Sequence, residues 1–499
     1  MIMMKILVIT GRLAENTVRK SVSDDADILV LDIEVAAFTT PALLRRNISR
    51  KKYDMILVPG LASGDFSVLE KEINTPIRLG PKHAVDLGFV LSFAGEMDFS
   101  STVPACELLK EKRKDTALFR ISELEENSHA SLSIRGMKLG GNSRMKVLAE
   151  VVDAGHLSKN DLTNRILYFV DQGADMIDLG LSLDTTEKEV MRAVETARSA
   201  TCAPLSVDTL DPVLINTALD SGIDIVLSLN SRNMDEVNEN IIRNSATAVV
   251  IPDSSSDSSS DIESLFRNID HARKIGITNI IADPVLEPAG HGLMDSLNRY
   301  YEFRKRDNLT PLFFGVGNIT ELIDADSQGV NAMLCAIAME LDAGVLFTPE
   351  YSSKAQGSVS ELKTASIMMM LAKDRCSPPK DLGIDMLVLK EKRRRRYGKM
   401  PEKPIEAQAS EKWHLDPAGC FKIEITDGGL SNGKFCPGKI IVQHNEISIA
   451  GATAKEVLDT IISLGLVSRH DHAAYLGREL MKAELALKYR RSYSQDDEF

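Results

Sequence analysis

The hydrophobic and polar positions of this chain fall into three regimes. Between Lys5 and about Ala117, short apolar runs alternate with helical stretches: KILVIT (5–10), ADILVLDI (26–33) and YDMILVPG (53–60), then ELLKEKRKD (107–115). Unbroken Val/Ile/Leu runs ended by Gly, Pro or Asp are what strands buried on both faces require, so this part predicts a small open parallel sheet flanked by helices. The turn Thr10-Gly11-Arg12 stands where such sheets take up ligands. A single glycine there reads first as a plain strand-to-helix turn and only second as an anion site.

From about Leu132 to Lys373 the alternation becomes even. Strand-like runs occupy 146–154, 174–182, 203–209, 223–230, 247–253, 277–286, 310–318 and 343–350. Amphipathic stretches such as KNDLTNRILYFVDQG (159–173), EKEVMRAVETARSA (187–200) and DIESLFRNIDHARKIG (261–276) separate them. Eight such units in about 240 residues is the arithmetic of a (β/α)8 TIM barrel. An open doubly wound sheet also alternates, but rarely through eight consecutive units. After Ser377 the chain turns basic and proline-containing, with Arg393–Arg396, Pro401 and Pro404, which reads as a solvated linker more readily than as a phosphate-docking segment. Three short runs (422–426, 439–444, 446–451) and two helical patterns (453–466, 470–490) then predict a small α+β module. The expected division is 1–125, an N-terminal α/β domain; 126–376, the barrel; 377–411, the linker; and 412–499, the C-terminal α+β domain.

Composition removes several function classes. With 43% hydrophobic residues in 499, the chain has enough apolar side chains for ordinary cores. A net charge of −13 argues against nucleic acid or an anionic membrane surface as partner. No apolar stretch approaches membrane-spanning length. The six cysteines are scattered without a CxxC pair, as expected of reduced thiols in a cytoplasmic protein.

Barrel active sites form at the C-terminal ends of the strands, so the polar residues there are the candidates. In chain order they are Glu150 and Asp153; Asp178 and Ser182; Asp208 and Thr209; Ser228 and Asn230; Asp253; Asp283; Asn318; Thr348 and Glu350. So many carboxylates around one mouth would repel one another unless protons, a cation or a donor-rich ligand offset them. The crowding points to a ring bearing N–H donors or to Mg²⁺ carrying a phosphate. Each residue has a plainer reading: Asp178 as a loop cap, Asp208 as a competitor for the helix start at Asp211-Pro212, Asp253 as the opening of a solvated serine loop, His291 as an exposed loop histidine. Asp283 precedes a proline and a long glycine-containing loop, unusual architecture for a mere turn. The cluster His470, Asp471, His472, Tyr475 and Glu479 reads as helix-surface polarity rather than a metal site. HExxH, Ser/His/Asp order and a Walker-type loop are all missing, which removes zinc proteases, serine hydrolases and P-loop NTPases.

The segments GADMIDLG (173–180), PLSVDT (204–209), SGIDIVLSLN (221–230) and ADPVLEPAGHG (282–292) resemble the pterin-binding superfamily of dihydropteroate synthases and the pterin-binding domains of corrinoid-linked methyltransferases. The three-part layout resembles the archaeal dihydropteroate synthase-related proteins of methanogens. The resemblance implies that Asp208 and Asp283 hydrogen-bond the amino-pyrimidinone edge of a reduced pterin, with Asp178 as the D-x-G aspartate and Ser228, Asn230 and Asn318 completing the pterin site. Glu150, Asp153, Asp253 and His291 would then face a diphosphate, with Mg²⁺ near Asp153, Glu150 or Asp253 and Asp153 as the expected metal ligand. The departures are equally informative. Leu227 replaces the family's fourth-strand asparagine, GVGNIT replaces the synthase's SRK lysine motif, FTPE replaces its R-x-H pair, and LAEVVDA stands for the first-loop signature.

The implied activity is a synthase-like transfer of a dihydropterin-methyl group from diphosphate to an arylamine, on a route to tetrahydromethanopterin or a folate-type cofactor, the amine there being a ribosyl-aminobenzene phosphate. The alternative keeps the pterin and drops the condensation: a methyl-pterin carrier that works beside a corrinoid protein partner, or a pterin-binding scaffold. Members of the family are often dimers, so the resemblance implies a homodimer.

Overall fold

The structure is a computed structural model and describes residues 4–22, 26–48, 52–253, 258–390, 404–409, 414–426, 428–431 and 434–498. The Arg393–Arg396 run and the serines following Asp253, through 257, lie outside the described residues. The chain forms two compact units, Met1–Arg120 with Asp381–Ile384, and Ile121–Lys380 with Asp385–Phe499.

In the first unit β1 (Ile6–Thr10), β2 (Asp27–Val30), β3 (Met55–Val58) and β4 (Ile77–Leu79) form a parallel sheet in the order β2-β1-β3-β4. Side chains of β1 and β3 alternate between two apolar layers. Val8 and Leu57 pack with Val18, Val22 and Val90 on one face, and Leu7, Ile9 and Ile56 with Leu44 and Leu69 on the other. At the Thr10-Gly11-Arg12 turn, the amides of Arg12 and Leu13 donate to the carbonyls of Ile33 and Glu34. A Cβ at position 11 would stand 2.8 Å from the Ile33 oxygen, so the glycine permits this close approach, and the amides an anion would need are already used.

The second unit begins with the hairpin β5 (Leu132–Ile134) and β6 (Met137–Leu139). Eight parallel strands follow: β7 (Lys146–Val151), β8 (Met176–Gly180), β9 (Leu205–Asp208), β10 (Ile225–Leu229), β11 (Thr247–Val250), β12 (Ile280–Ala282), β13 (Leu312–Gly315) and β14 (Ala343–Thr348). They close into a barrel, β14 pairing with β7. The lumen is filled by Leu148, Met176, Ile225, Val249, Ile281, Phe313 and Val345, together with Ile134 and Leu139 of the hairpin. A second apolar shell joins the outward strand faces to the helices. Several helices start on local signals. Asp211 accepts from the Val213 amide at 2.8 Å ahead of Pro212, and Thr186 and Glu189 form a capping box before Glu187–Ala200. The strands are shorter than the apolar runs suggest because the chain leaves the sheet as it reaches the mouth. β12 stops at Ala282, just before Asp283-Pro284, within a run that extends to position 286.

The C-terminal module of the same unit has an antiparallel sheet of β15 (Lys422–Ile425), β18 (Ile440–His444) and β19 (Ile447–Gly451), plus the pair β16 (Gly429–Ser431) and β17 (Lys434–Cys436). Helices Ala454–Ser463 and His470–Tyr489 cover one face, with Val457, Ile461, Leu476 and Leu480 packed on Ile423, Ile440 and Val442. The polar cluster at the second helix's start is knitted into the fold. Asp416 accepts from the Ser468 and Arg469 amides and lies 3.0 Å from the His472 ring nitrogen, and Glu479 accepts from Tyr493 and the Asp496 amide.

Candidate functional site

Three carboxylates meet where β7, β8 and β9 end. Strand register sets Glu150 beside Asp178, Asp178 beside Ser206, and Gly180 beside Asp208. One oxygen from each of Glu150, Asp178 and Asp208 lies within 4.8 Å of the others. Gly180 makes room for this packing, since a Cβ there would run into the Glu150 carboxylate. Asp178 is fully buried; its Oδ1 accepts from the Ser206 hydroxyl, while its Oδ2 is buried with no hydrogen-bond partner. Burial, then the charges of Asp208 and Glu150, push the Asp178 carboxyl well above the usual carboxylate range. Burial lifts Asp208 to about 6. Glu150 is lifted to about 7 by burial and then by the charges of Asp208, Asp153 and Glu321. An orphaned acceptor at the floor of an acidic cup is an unfavourable arrangement that a donor-bearing or cationic ligand would relieve.

Asp283 follows the end of β12, and the charge of Asp208 acts on it. Burial raises its carboxyl to about 6, against the pull of the Val285 amide, the Tyr300 hydroxyl and the Arg299 charge. Tyr300 is fully buried, and its single hydroxyl proton faces two acceptors, Asp283 Oδ1 at 2.8 Å and the Phe313 carbonyl at 2.9 Å. A proton on Asp283 would satisfy both contacts at once. The loop beyond is held under strain: Val285 has φ 64°, a region that β-branched residues avoid, and Arg299 clamps the carbonyls of Pro284 and Val285.

Other expected site residues shape the loops around the cup. Asn318 donates to the Leu286 carbonyl at 2.8 Å, tying the end of β13 to the Asp283 loop. Asn230 is buried and accepts from the Arg232 amide at 2.9 Å; the half-buried Ser228 presents its carbonyl to Asn233, which also reaches Leu210. Asp253 accepts from the Ser231 amide and from Asn268. Those bonds outweigh its burial and hold its carboxyl below the usual range. Asp153 is exposed at φ 52° and His291 is exposed; neither belongs to the converging trio, which is Glu150, Asp178 and Asp208. Glu350, at the end of β14, is buried and occupied by Tyr168 (2.6 Å) and the Val359 amide (2.9 Å).

Ser206, Tyr300 and Glu321 were not among the expected site residues. Ser206 had a readable signal, since it lies two positions before Asp208 on the same strand face. Tyr300 sits inside the helix Leu293–Arg306 and Glu321 just past a short helical turn, where residue pattern does not point to the mouth.

A closed eight-stranded parallel barrel with carboxylates at its strand ends defines the class. Residues 150–340 match the family profile described as "Pterin binding enzyme", residues 4–82 match a family of unknown function, and residues 415–496 match a profile termed PterinBD-DUF4346. An uncharacterized protein of Methanocaldococcus jannaschii is 38% identical, covering 99% of this chain and 98% of its own. The chain belongs to the pterin-binding, dihydropteroate synthase-like family represented by that protein. The uncharacterized protein ycf91 of Porphyra purpurea is 34% identical over 94 residues, 18% of this chain and 77% of its own. Among solved structures, a Yersinia pestis dihydropteroate synthase with a pterin-sulfa conjugate is 18% identical at TM-score 0.40, covering 49% of this chain and 99% of its own. The Thermus thermophilus synthase in complex with 4-aminobenzoate is 19% identical at TM-score 0.38, covering 47% and 96%. Among the described residues, no helix is long and apolar enough to cross a membrane.

Proposed function

We propose that the barrel binds a reduced pterin in the acidic cup and transfers its methylene carbon from a diphosphate leaving group to an arylamine. The observation that carries this reading is the partnerless, fully buried Oδ2 of Asp178, whose carboxylate meets those of Glu150 and Asp208. An amino-pyrimidinone edge presents adjacent N–H donors, and anionic acceptors facing them make short, directional bonds in a closed site. The reaction follows from positioning: the amine lone pair attacks the exocyclic methylene, the carbon–oxygen bond breaks, and diphosphate leaves with the electron pair. The proton that the amine nitrogen sheds leaves to water or to the departing diphosphate.

The all-oxygen donor set of Glu150, Asp178 and Asp208 also fits a hard divalent cation. Mg²⁺ held there would occupy the acceptors that the pterin edge needs, so ion and pterin are alternative occupants of the cup. Incubation with a dihydropterin-methyl diphosphate and an arylamine tests the transfer. Diphosphate release that needs both substrates supports it; pterin binding with no release refutes it.

One observation favours a second reading. The ends of β13 and β14 present Asn318, Pro349 and Glu350, with no Lys or Arg among them. A pterin held without turnover, as a methyl donor to a corrinoid protein partner, fits that lack of a strand-end cation, and the same incubation separates the two.

A further inference from the structure

Open parallel sheets take up ligands outside the C-terminal ends of their strands, where successive strands are laid down to opposite sides. In the first unit that point lies between β1 and β3. The chain moves from β1 outward to β2, then returns past β1 to β3 and on to β4. The helix Glu15–Val22, which follows β1, packs on one face of the sheet, and the helix Ser67–Ile73, which follows β3, on the other. A cavity of about 360 Å³ opens there, lined by the ends of β1 and β3 and by the loops after β2 and β4.

Its chemistry differs from that of a nucleotide crevice. A phosphate would need free backbone amides, and these are consumed within the fold. Arg12 and Leu13 donate to Ile33 and Glu34, Gly60 to Pro81 at 3.0 Å, and Gly80 to Val58 at 2.8 Å. Gly60 lets the ends of β3 and β4 close on each other, since a Cβ there would run into the Gly80 carbonyl oxygen. The charged groups of the lining are matched as well. Lys82, largely buried, pairs with Glu107, and Glu34 faces Arg12 at 3.8 Å. The described lining has no aromatic ring on which a base could stack.

What remains is aliphatic. Val18, Leu57 and Leu87 are buried in the wall, while Leu13, Val35 and Leu61 expose 72%, 42% and 51% of their surface. Large apolar side chains left in water beside an apolar cavity gain by closing on an apolar ligand. Among the described residues the half-buried Thr17 hydroxyl has no hydrogen-bond partner, so the lining also offers a polar handle.

We infer that the N-terminal unit binds a small uncharged molecule, mainly aliphatic and carrying a hydroxyl or carbonyl group, in the crevice between β1 and β3. The volume lies near the lower end of the range of about 300–1000 Å³ usual for small ligands, so one ring or a short branched chain suits it. Every residue of the lining falls between Val8 and Leu87, so the site stands apart from the pterin reading of the barrel.

Fluorescence titration of the full chain with 1-aminoanthracene, a neutral three-ring probe, measures occupancy. Cyclohexanol, cyclohexanecarboxylate and cyclohexylamine, three competitors on one skeleton, separate neutral from charged ligands. The wild type is expected to bind the probe saturably, and cyclohexanol to displace it at concentrations at least about tenfold lower than either ion. Ala84→Phe fills the cavity and is expected to weaken the probe about tenfold or more; Leu13→Ser, at a position exposed enough to leave folding intact, about threefold. Probe binding that both folded variants leave unchanged lies elsewhere in the chain and overturns the site, as does a wild type that takes up no probe. Better displacement by the carboxylate or the amine overturns the neutral class. A wild type that takes up no probe and self-associates in sedimentation, with Leu13→Ser abolishing the association, makes this face a contact between copies and overturns the small-molecule site.

Discussion

Replacing Asp208 with Asn should stabilise the ligand-free protein at neutral pH while weakening pterin binding. The Asp208 carboxylate receives no hydrogen bond from any described residue, and its charge acts on Glu150, Asp178 and Asp283. Its own carboxyl titrates at about 6 in the fold, against 3.8 ordinarily. A folded-state pKa raised above the unfolded one means stability present below about pH 4 and lost as pH climbs through 6. At roughly 1.4 kcal/mol per unit, that shift of about two units costs the native state about 3 kcal/mol at pH 7.5. Asn carries no such cost, so D208N should gain about 2–3 kcal/mol at pH 7.5 and close to nothing at pH 4, the group's neighbours sharing part of the effect. Urea unfolding of both proteins at the two pH values measures this, and calorimetry with hydroxymethylpterin measures the affinity. A gain in stability independent of pH, or a loss at pH 7.5, would refute the electrostatic reasoning. Unchanged pterin affinity would refute the assignment of Asp208 to the ligand.

Other substitutions probe the supports. Tyr300→Phe removes the hydroxyl on Asp283 and should cost about 1 kcal/mol in stability, with pterin affinity reduced about three- to tenfold; an unaltered affinity would show that Asp283 needs no positioning. Asp175→Asn strips Arg144 and Lys363 of their buried partner and should cost about 3–5 kcal/mol in urea unfolding at pH 7. The Asp175 carboxyl is held at about 2, so the wild type should lose its contribution as pH falls from about 4 toward 2, the opposite direction from the cup acids. Pterin affinity should climb between about pH 5 and 7.5, as the cup acids lose the protons that binding displaces, and level off above. A flat calorimetric profile over that window would contradict carboxylate recognition.

The barrel was legible because its eight apolar runs are long, evenly spaced and separated by amphipathic helices. Asp178, Asp208 and Asp283 could be picked as candidates because barrel chemistry collects at strand ends, and the structure brings Asp178 and Asp208 together with Glu150. The three-residue strands β4, β5 and β6 were not: a hairpin built from Leu132-Ser133-Ile134 and Met137-Lys138-Leu139 has no apolar run to read, although Ile134 and Leu139 fill the barrel floor. The strand-end rule also treats loop polar groups and cup-lining ones alike. Asn230, Asp253 and Asn318 satisfy it, yet their hydrogen bonds run to loop amides and carbonyls.

The most direct test of the account is a crystal structure of the protein soaked with a reduced pterin. The account predicts the amino-pyrimidinone edge within hydrogen-bond distance of Asp178 Oδ2, Asp208 and Asp283, with the exocyclic carbon turned away from those acids. A pterin bound elsewhere in the chain, or seated in the mouth with its N–H edge away from those acids, would contradict it.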